Sequence, residues 1–409
     1  MTIGAKTMDE PISTLKKILF VDEPFMESSS LRSKRSRFLW EVLSSAYDAD
    51  LLLLKTTAYI EKPVPAHTGY DRLYSLSLAD ANQLFPDSYH ILASGQAERF
   101  ANMLDSKRYE LIVFAGLSCL PLLYLAKKTL PRCKYVIDID RNYLPEAEAR
   151  WKANKSLEAA KNLWVYTRQL FWDKFLLKPG SYCFFANPYD AVVLQGTFKL
   201  KPQNTLVFPL PMEEPQELTE TEPATDLAGK KYILFWGLEG STANLEAAKI
   251  LVSEIYPRIS KKLVEKDIGI VLYGHEQLKS VCGGRIQYSE PGDTPDATFA
   301  PLLDNAMFAL LPLNVPDTEG RIMQCASAGK ALICTNKCLT GWQLPDNCAK
   351  THDALEELAP LIIRWMQYPR EVEASAHNLQ QYCKDNYQRQ ALIDNILSTL
   401  NTWTGENEQ

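Results

Sequence analysis

Arg321 opens a short helical pattern. A cation at that end opposes the helix dipole and needs an anion beside it. A diphosphate is one answer; Asp317 or Glu319 is the other. Thr318 is a phosphate contact or a plain helix cap, and Gln324 shares the face of Arg321 three residues on. Gly237 and Ser241 follow a β-rich run and precede a helix, and Gly274-His275 ends another run. Glycines there are turn residues or places where backbone approaches phosphate. Asp138 and Asp140 flank Ile139 at the end of a further run. Positions i and i+2 of a strand share a face, and neighbouring carboxylates raise one another's pKa. Such a pair suits acid–base or ligand-orienting work, unless Arg141 or Lys134 merely pairs with it. Arg32, Lys34, Arg35 and Arg37 put four positive charges into six residues. That run is a solvated face, or a seat for an anionic ligand such as phosphates, or for an anionic membrane.

The elements that must position these residues alternate. Runs at 16–22, 49–54, 109–115, 134–140, 182–186 and 205–208 are short, apolar and β-rich, as buried parallel strands are. Helical patterns over 31–47, 119–129, 147–178 and 188–195 lie between them. Residues 212–228 are acidic, contain proline and almost lack bulky apolar side chains, a linker composition. The alternation then restarts, with strands at 232–237, 268–274, 285–288, 307–311 and 330–335 and helices at 243–262, 297–305 and 320–328. Helices finish the chain. Twin α/β domains place the C-terminal ends of two parallel sheets on either side of a cleft, where open α/β sheets bind ligands.

Composition narrows the class. The 409 residues carry 44 Lys+Arg against 50 Asp+Glu, a net charge of −6, which disfavours general nucleic-acid binding. No apolar run approaches the roughly 18 residues of a membrane span, and residues 1–10 hold no signal-peptide core. The nine cysteines form no CxxC pair and the five histidines stand far apart. That predicts a reducing cytoplasm, without disulfides or a metal cage. The stretch from Trp151 to Phe175 mixes Trp151, Trp164, Tyr166, Phe171 and Trp172 with Lys and Arg. Such a helix lies at a bilayer interface or packs on its own sheet. The tryptophans share no single stripe, which favours packing.

The segment from Leu311 to Thr335 runs strand, loop, helix, Gly329-Lys330 turn, strand. It resembles the donor-nucleotide segment of family 4-like glycosyltransferases of the GT-B fold. There a loop and helix N-terminus cradle the diphosphate, a basic residue pairs with it and a Glu binds the ribose. By position Thr318 matches the loop Thr, Arg321 the basic residue and Gln324 the ribose Glu. Phe235 to Asn244 is similar to the family's strand-Gly-Ser-x5-Asn loop, Leu272 to His275 to its turn near the base, and Pro257-Arg258-Ile259 to its Leu-Pro-x-Ile. In the first half, Asp138-Ile139-Asp140 falls where many members carry Asp-x-His-Asp, and Val207 to Met212 where they carry a Pro-Asn-Gly-Val-Asp-like turn.

The resemblance implies an α/β chain of GT-B fold, with two Rossmann-like, doubly wound domains facing a central cleft. An N-terminal acceptor domain would span 1–211, the linker 212–228 and a nucleotide-sugar domain 229–380, with a C-terminal helix at 381–409 packing back on the first domain. It implies a retaining, metal-independent hexosyltransferase that moves sugar from a nucleotide-diphosphate donor to a glycan or lipid-linked acceptor in polysaccharide or glycoconjugate biosynthesis. Asp138 and Asp140 would be catalytic. Gly237, Ser241, Gly274, His275, Thr318, Arg321 and Gln324 would bind donor, and Arg32 and Arg35 acceptor. No cofactor, metal or nucleic acid is expected, and the place is the cytoplasm, with the inner membrane face as a candidate surface. The alternative is a catalytically impaired GT-B protein that binds glycans or serves assembly. It rests on Gln324, Glu319 and Asp140 standing where the family carries Glu, Arg and His.

Overall fold

The computed structural model describes residues 16–23, 31–55, 73–78, 89–140, 142, 157–212, 227, 229–237, 242–290, 295–317 and 319–405. Arg141, Trp151, Ser241, Thr318 and most of the linker lie outside them. The first half builds β1 (Lys17–Asp22), α1 (Leu31–Ala46), β2 (Asp48–Lys55), β3 (Leu73–Ser77), α2 (Gln96–Lys107), β4 (Leu111–Ala115), α3 (Leu120–Thr129), β5 (Lys134–Ile139), α4 (Leu157–Leu176), β6 (Tyr182–Phe185), α5 (Pro188–Phe198) and β7 (Thr205–Val207). Its seven strands pair in parallel in the order β3-β2-β1-β4-β5-β6-β7.

The second half builds β8 (Lys231–Gly237), α6 (Thr242–Ile250), α7 (Tyr256–Lys266), β9 (Ile268–Gly274), β10 (Ile286–Ser289), α8 (Pro295–Asn305), β11 (Phe308–Leu311), α9 (Arg321–Ser327), β12 (Leu332–Thr335), β13 (Lys350–His352), α10 (Leu358–Gln367), α11 (Pro369–Tyr387) and α12 (Arg389–Thr404). Its six strands, again parallel, run β10-β9-β8-β11-β12-β13. The α/β alternation expected from the sequence is therefore present twice. In each sheet the order reverses beside the first strand, between β1 and β4 and between β8 and β11. Those two reversals are where a crevice opens at the C-terminal strand ends.

Three local readings need correction. Strands β3 and β13 escape an apolar-run criterion because both are sheet edges, and β13 (Lys-Thr-His) has no buried residue. Helix α2 offers a short apolar signal in the sequence, because its buried residues are only Phe100 and Leu104. The single helix expected over 243–262 is interrupted by a π-turn at Leu251–Ile255 before Pro257. Proline has no N–H for the i−4 carbonyl, and the wider turn absorbs that loss.

The second sheet and its helices share one core, whereas the first sheet carries a core on each face. Leu392, Ile396, Leu400 and Trp403 of α12 belong to one face of the first sheet. Trp403 Nε1 donates to the Gln203 carbonyl at 2.9 Å, Tyr47 Oη to Asn401 at 3.1 Å, and Arg389 pairs with Glu41. The last helix thus closes the chain onto its first half. The halves also meet on the cleft side. Gly341, after β12, has φ +92°, and a Cβ there would lie 2.7 Å from the Tyr189 backbone nitrogen at the start of α5.

Candidate functional site

At the β1/β4 reversal, β1 ends in buried Asp22, followed by Glu23. Helix α1 brings Arg32 between them. Arg32 Nη2 lies 3.1 Å from Asp22 Oδ1 and Nη1 2.8 Å from Glu23 Oε1. His90, arriving after β3, places Nε2 2.5 Å from the same Glu23 oxygen. Burial pushes the Asp22 carboxyl up to about 7 against the pull of Arg32. Burial also works to raise Glu23, but the hydrogen bond to His90 and the charge of Arg32 outweigh it and hold Glu23 at about 2. Two neighbouring carboxyl groups are thus driven apart by their surroundings.

One turn along α1, Arg35 is buried. Its Nε and Nη2 donate to Asp138 at 3.0 and 2.7 Å, and Nη1 donates to the Phe208 carbonyl at 2.6 Å. Its guanidinium lies 3.9 Å from the centre of the Phe208 ring. Asp138, 2% exposed, gives its carboxylate to this clamp. Its partner is Arg35 and not Lys134; Arg141 lies outside the described residues. Of the expected pair only Asp140 keeps partial exposure. Its carboxyl is raised by burial, lowered by Arg32 and raised by Asp138. Arg32, Asp22, Glu23, His90 and Asp140 therefore gather at one crevice. Sequence reasoning missed Glu23 and His90. Glu23 had a signal, an acidic residue just past a strand end; His90 had none, because 67 positions separate the pair.

At the β8/β11 reversal the pattern is tighter. Arg321, at the first position of α9, is 3% exposed. It approaches Glu319 at 2.9 Å and Asp317 at 3.3 Å, donates to Asn244 Oδ1 at 2.9 Å and reaches the Trp236 carbonyl at 3.4 Å. Asn244 Nδ2 in turn donates to Glu319 at 2.8 Å. Asp317 accepts from the backbone N–H groups of Glu319 and Ile322. It thereby satisfies the start of α9, a job a Thr318 cap was one candidate for. Burial pushes Asp317 up, opposed by Arg321.

Gln324 Oε1 accepts from Trp236 Nε1 at 2.9 Å. Gly237 ends β8 where a Cβ would stand 2.7 Å from the Asn244 side chain, so the position has no room for one. Gly274 has φ +127°, and its carbonyl accepts from Tyr288 Oη at 2.7 Å. His275 Nδ1 accepts from the Gln277 N–H at 3.3 Å, as the cap of a 3-10 turn. Its own N–H donates to the Gly237 carbonyl at 2.9 Å, so the two strand-end turns are joined. The structure thus brings Gly237, Gly274, His275, Arg321 and Gln324 to one sheet edge. Of the two anions weighed for Arg321, the protein itself supplies the carboxylates. Among the described residues, no three His, Cys, Asp or Glu side chains are grouped to hold a metal ion. No described helix is long and apolar enough to cross a membrane.

The overall arrangement recurs in solved structures. A glycosyltransferase from Rickettsia africae is similar with a TM-score of 0.64 at 13% identity, covering 96% of this chain and 99% of its own. The chain has the GT-B fold. Within that fold, sucrose-phosphate synthase from Thermosynechococcus elongatus matches with a TM-score of 0.63 at 14% identity, over 95% and 98% of the two chains. HepE of Anabaena in complex with UDP-glucose matches with a TM-score of 0.59 at 12% identity, over 94% and 99%. No protein-family model and no curated protein matches the sequence.

Proposed function

We propose that this GT-B chain is a glycosyltransferase that takes a sugar from a nucleoside-diphosphate donor and passes it to a hydroxyl of a glycan or lipid-linked acceptor. The observation that carries this is the pair of polar clusters at the two topological reversals. It is supported by near-complete overlap with a structure that holds UDP-glucose. The second-half cluster takes the nucleotide. Arg321 exchanges Glu319, the more exposed of its two carboxylates, for the donor diphosphate. The guanidinium then stabilises charge on the leaving group as the glycosidic bond breaks. Gln324 meets the ribose, and Gly237 and Gly274 keep the backbone near the phosphates. On the first-half side Asp140 and Arg32 orient the acceptor. The reaction proceeds with retention and without a metal, in the cytoplasm, and cleft closure keeps water from the donor. Residues 1–211 form the acceptor domain and 229–380 the donor domain.

One observation favours a second reading. Arg321 is already neutralised and enclosed, and Gln324 is already bonded to Trp236, as expected of a chain that has lost donor turnover and binds glycans. Calorimetry and thermal shift with UDP, GDP, ADP and their sugar conjugates test the choice. Stabilisation by one nucleotide, scaling with its concentration, followed by sugar release onto an acceptor supports the transferase. Silence to every nucleotide, with binding to a glycan, supports the second reading.

A further inference from the structure

Helix α4 is built inside out. Its inward side carries Gln169 and Asp173, both buried, with Asp173 accepting from Tyr89 and from Gln169 at 3.0 Å. Its outward side carries Trp164, Phe171 and Phe175, exposed by 63%, 64% and 46%. Spacings of seven and four place these three on one face over three turns. The Asp173 hydrogen bonds fix the rotation, so the aromatics cannot turn inward without stranding a buried carboxyl. Tyr124 of α3, 57% exposed, extends the patch, with its ring centre 6.3 Å from that of Phe175.

The rim is basic. Lys174 and Lys128 are exposed, and Lys178 lies 5.0 Å over the Phe175 ring. Among the described residues of this face there is no Asp or Glu, although the chain as a whole has a net charge of −6. Aromatic side chains ringed by lysines fit the interface of an anionic bilayer. There the rings enter the headgroup boundary and the ammonium groups meet lipid phosphates. We infer that the outer face of α4, with Tyr124 of α3, seats the protein on an anionic membrane surface. This holds whether or not the chain transfers sugar.

The full-length protein is sedimented with vesicles of phosphatidylcholine alone and of phosphatidylcholine mixed with phosphatidylglycerol. Binding is expected to the mixed vesicles, weakening with salt. Replacing Trp164, Phe171 and Phe175 together by Ser lowers the partition coefficient by about tenfold or more. The pair Lys174→Glu and Lys178→Glu lowers it by about tenfold or more, at roughly 1 kcal/mol for each lysine near the surface. The lysine variant should melt with the parent, because both side chains are exposed. The aromatic variant should melt slightly below it, having lost the ring contacts of Phe171 and Phe175 with Trp172 and Tyr124. The lysine variant therefore reads binding free of any change in folding. Absence of binding to mixed vesicles, or equal binding by parent and variants, overturns the inference. A dimer dissolved by the aromatic substitutions, without vesicle binding, also overturns it and gives the face to a second copy. No nucleotide enters the experiment, so its failure and failure of the transferase reading are distinguishable.

Discussion

The two strand-order reversals have the same topology and differ in how far their charges are enclosed. At β8/β11 one guanidinium is wrapped by two carboxylates and a carboxamide, with neither carboxylate more than 11% exposed. At β1/β4 two guanidinium groups face four carboxyl groups, Asp22, Glu23, Asp138 and Asp140. Only the Arg35–Asp138 pair is fully sequestered; Asp22 and Asp140 are left with raised pKa values. A closed set of charges resists change and stabilises the fold around it. A set that solvent reaches, with Arg32 28% and Glu23 36% exposed, can take or lose a proton and can hydrogen-bond a polyhydroxyl ligand. The same scaffold therefore supplies a lock on one side of the cleft and a titrating surface on the other.

Breaking the lock should have the largest effect. Arg321→Ala leaves Asp317 and Glu319 buried without their cation, a loss of about 3–5 kcal/mol, read as a lowered urea midpoint. A variant as stable as the parent but weaker for nucleotide would instead make Arg321 a ligand residue alone. Gly237→Ala attacks the same lock from the strand. The added methyl displaces Asn244, which touches both Arg321 and Glu319, at a cost of about 2–3 kcal/mol. An unchanged melting temperature would show that Asn244 can move freely.

The sequence made the centre of each sheet legible and left its edges dark. Strands such as Ile18-Leu19-Phe20-Val21 are buried on both faces and read as apolar runs, whereas β3 and β13 need apolar residues on one side at most. The grouping at the β8/β11 reversal was also legible, because Gly237, Arg321 and Gln324 sit at strand and helix ends that order along the chain reveals. What stayed hidden was pairing over distance. Nothing local joins Arg35 to Asp138 or His90 to Glu23, and those pairs decide which carboxyl stays exposed. For a related reason the stripe criterion described only the side of α4 that packs on the first sheet. Trp172 lies partly buried against the core, while Trp164 and Phe171 face out. Counting tryptophans alone mixed two faces.

The titrating side can be tested through pH. Asp22 has its folded pKa raised from 3.8 to about 7, so the folded state holds a proton that the unfolded chain releases. That contribution is complete below the unfolded value and is lost as pH rises towards 7, on the order of a few kcal/mol. Glu23 acts in the opposite sense, with its folded pKa lowered from 4.5 to about 2; its contribution is present above 4.5 and lost as pH falls towards 2. Asp22→Asn should therefore flatten the decline in stability between about pH 4 and 7 and raise the urea midpoint at pH 8. A variant that keeps the parent's slope would place the titration on another group.

The smallest effect is the most telling about function. In Glu319→Gln the side chain keeps its length and its hydrogen-bonding reach to Asn244 and loses the charge that occupies Arg321. A neutral partner holds a guanidinium by about 1 kcal/mol less than a carboxylate does, so stability should fall by about that amount. If the donor diphosphate displaces Glu319, the same 1 kcal/mol returns as tighter binding, about fivefold in Kd, measured by titration calorimetry. The two changes must then mirror each other, because one competing contact sets both. Lower stability without any gain in nucleotide affinity would mean that Arg321 never leaves its carboxylates. The closed pole would then be a fixed part of the fold, and glycan binding without transfer would be the better account of the cleft.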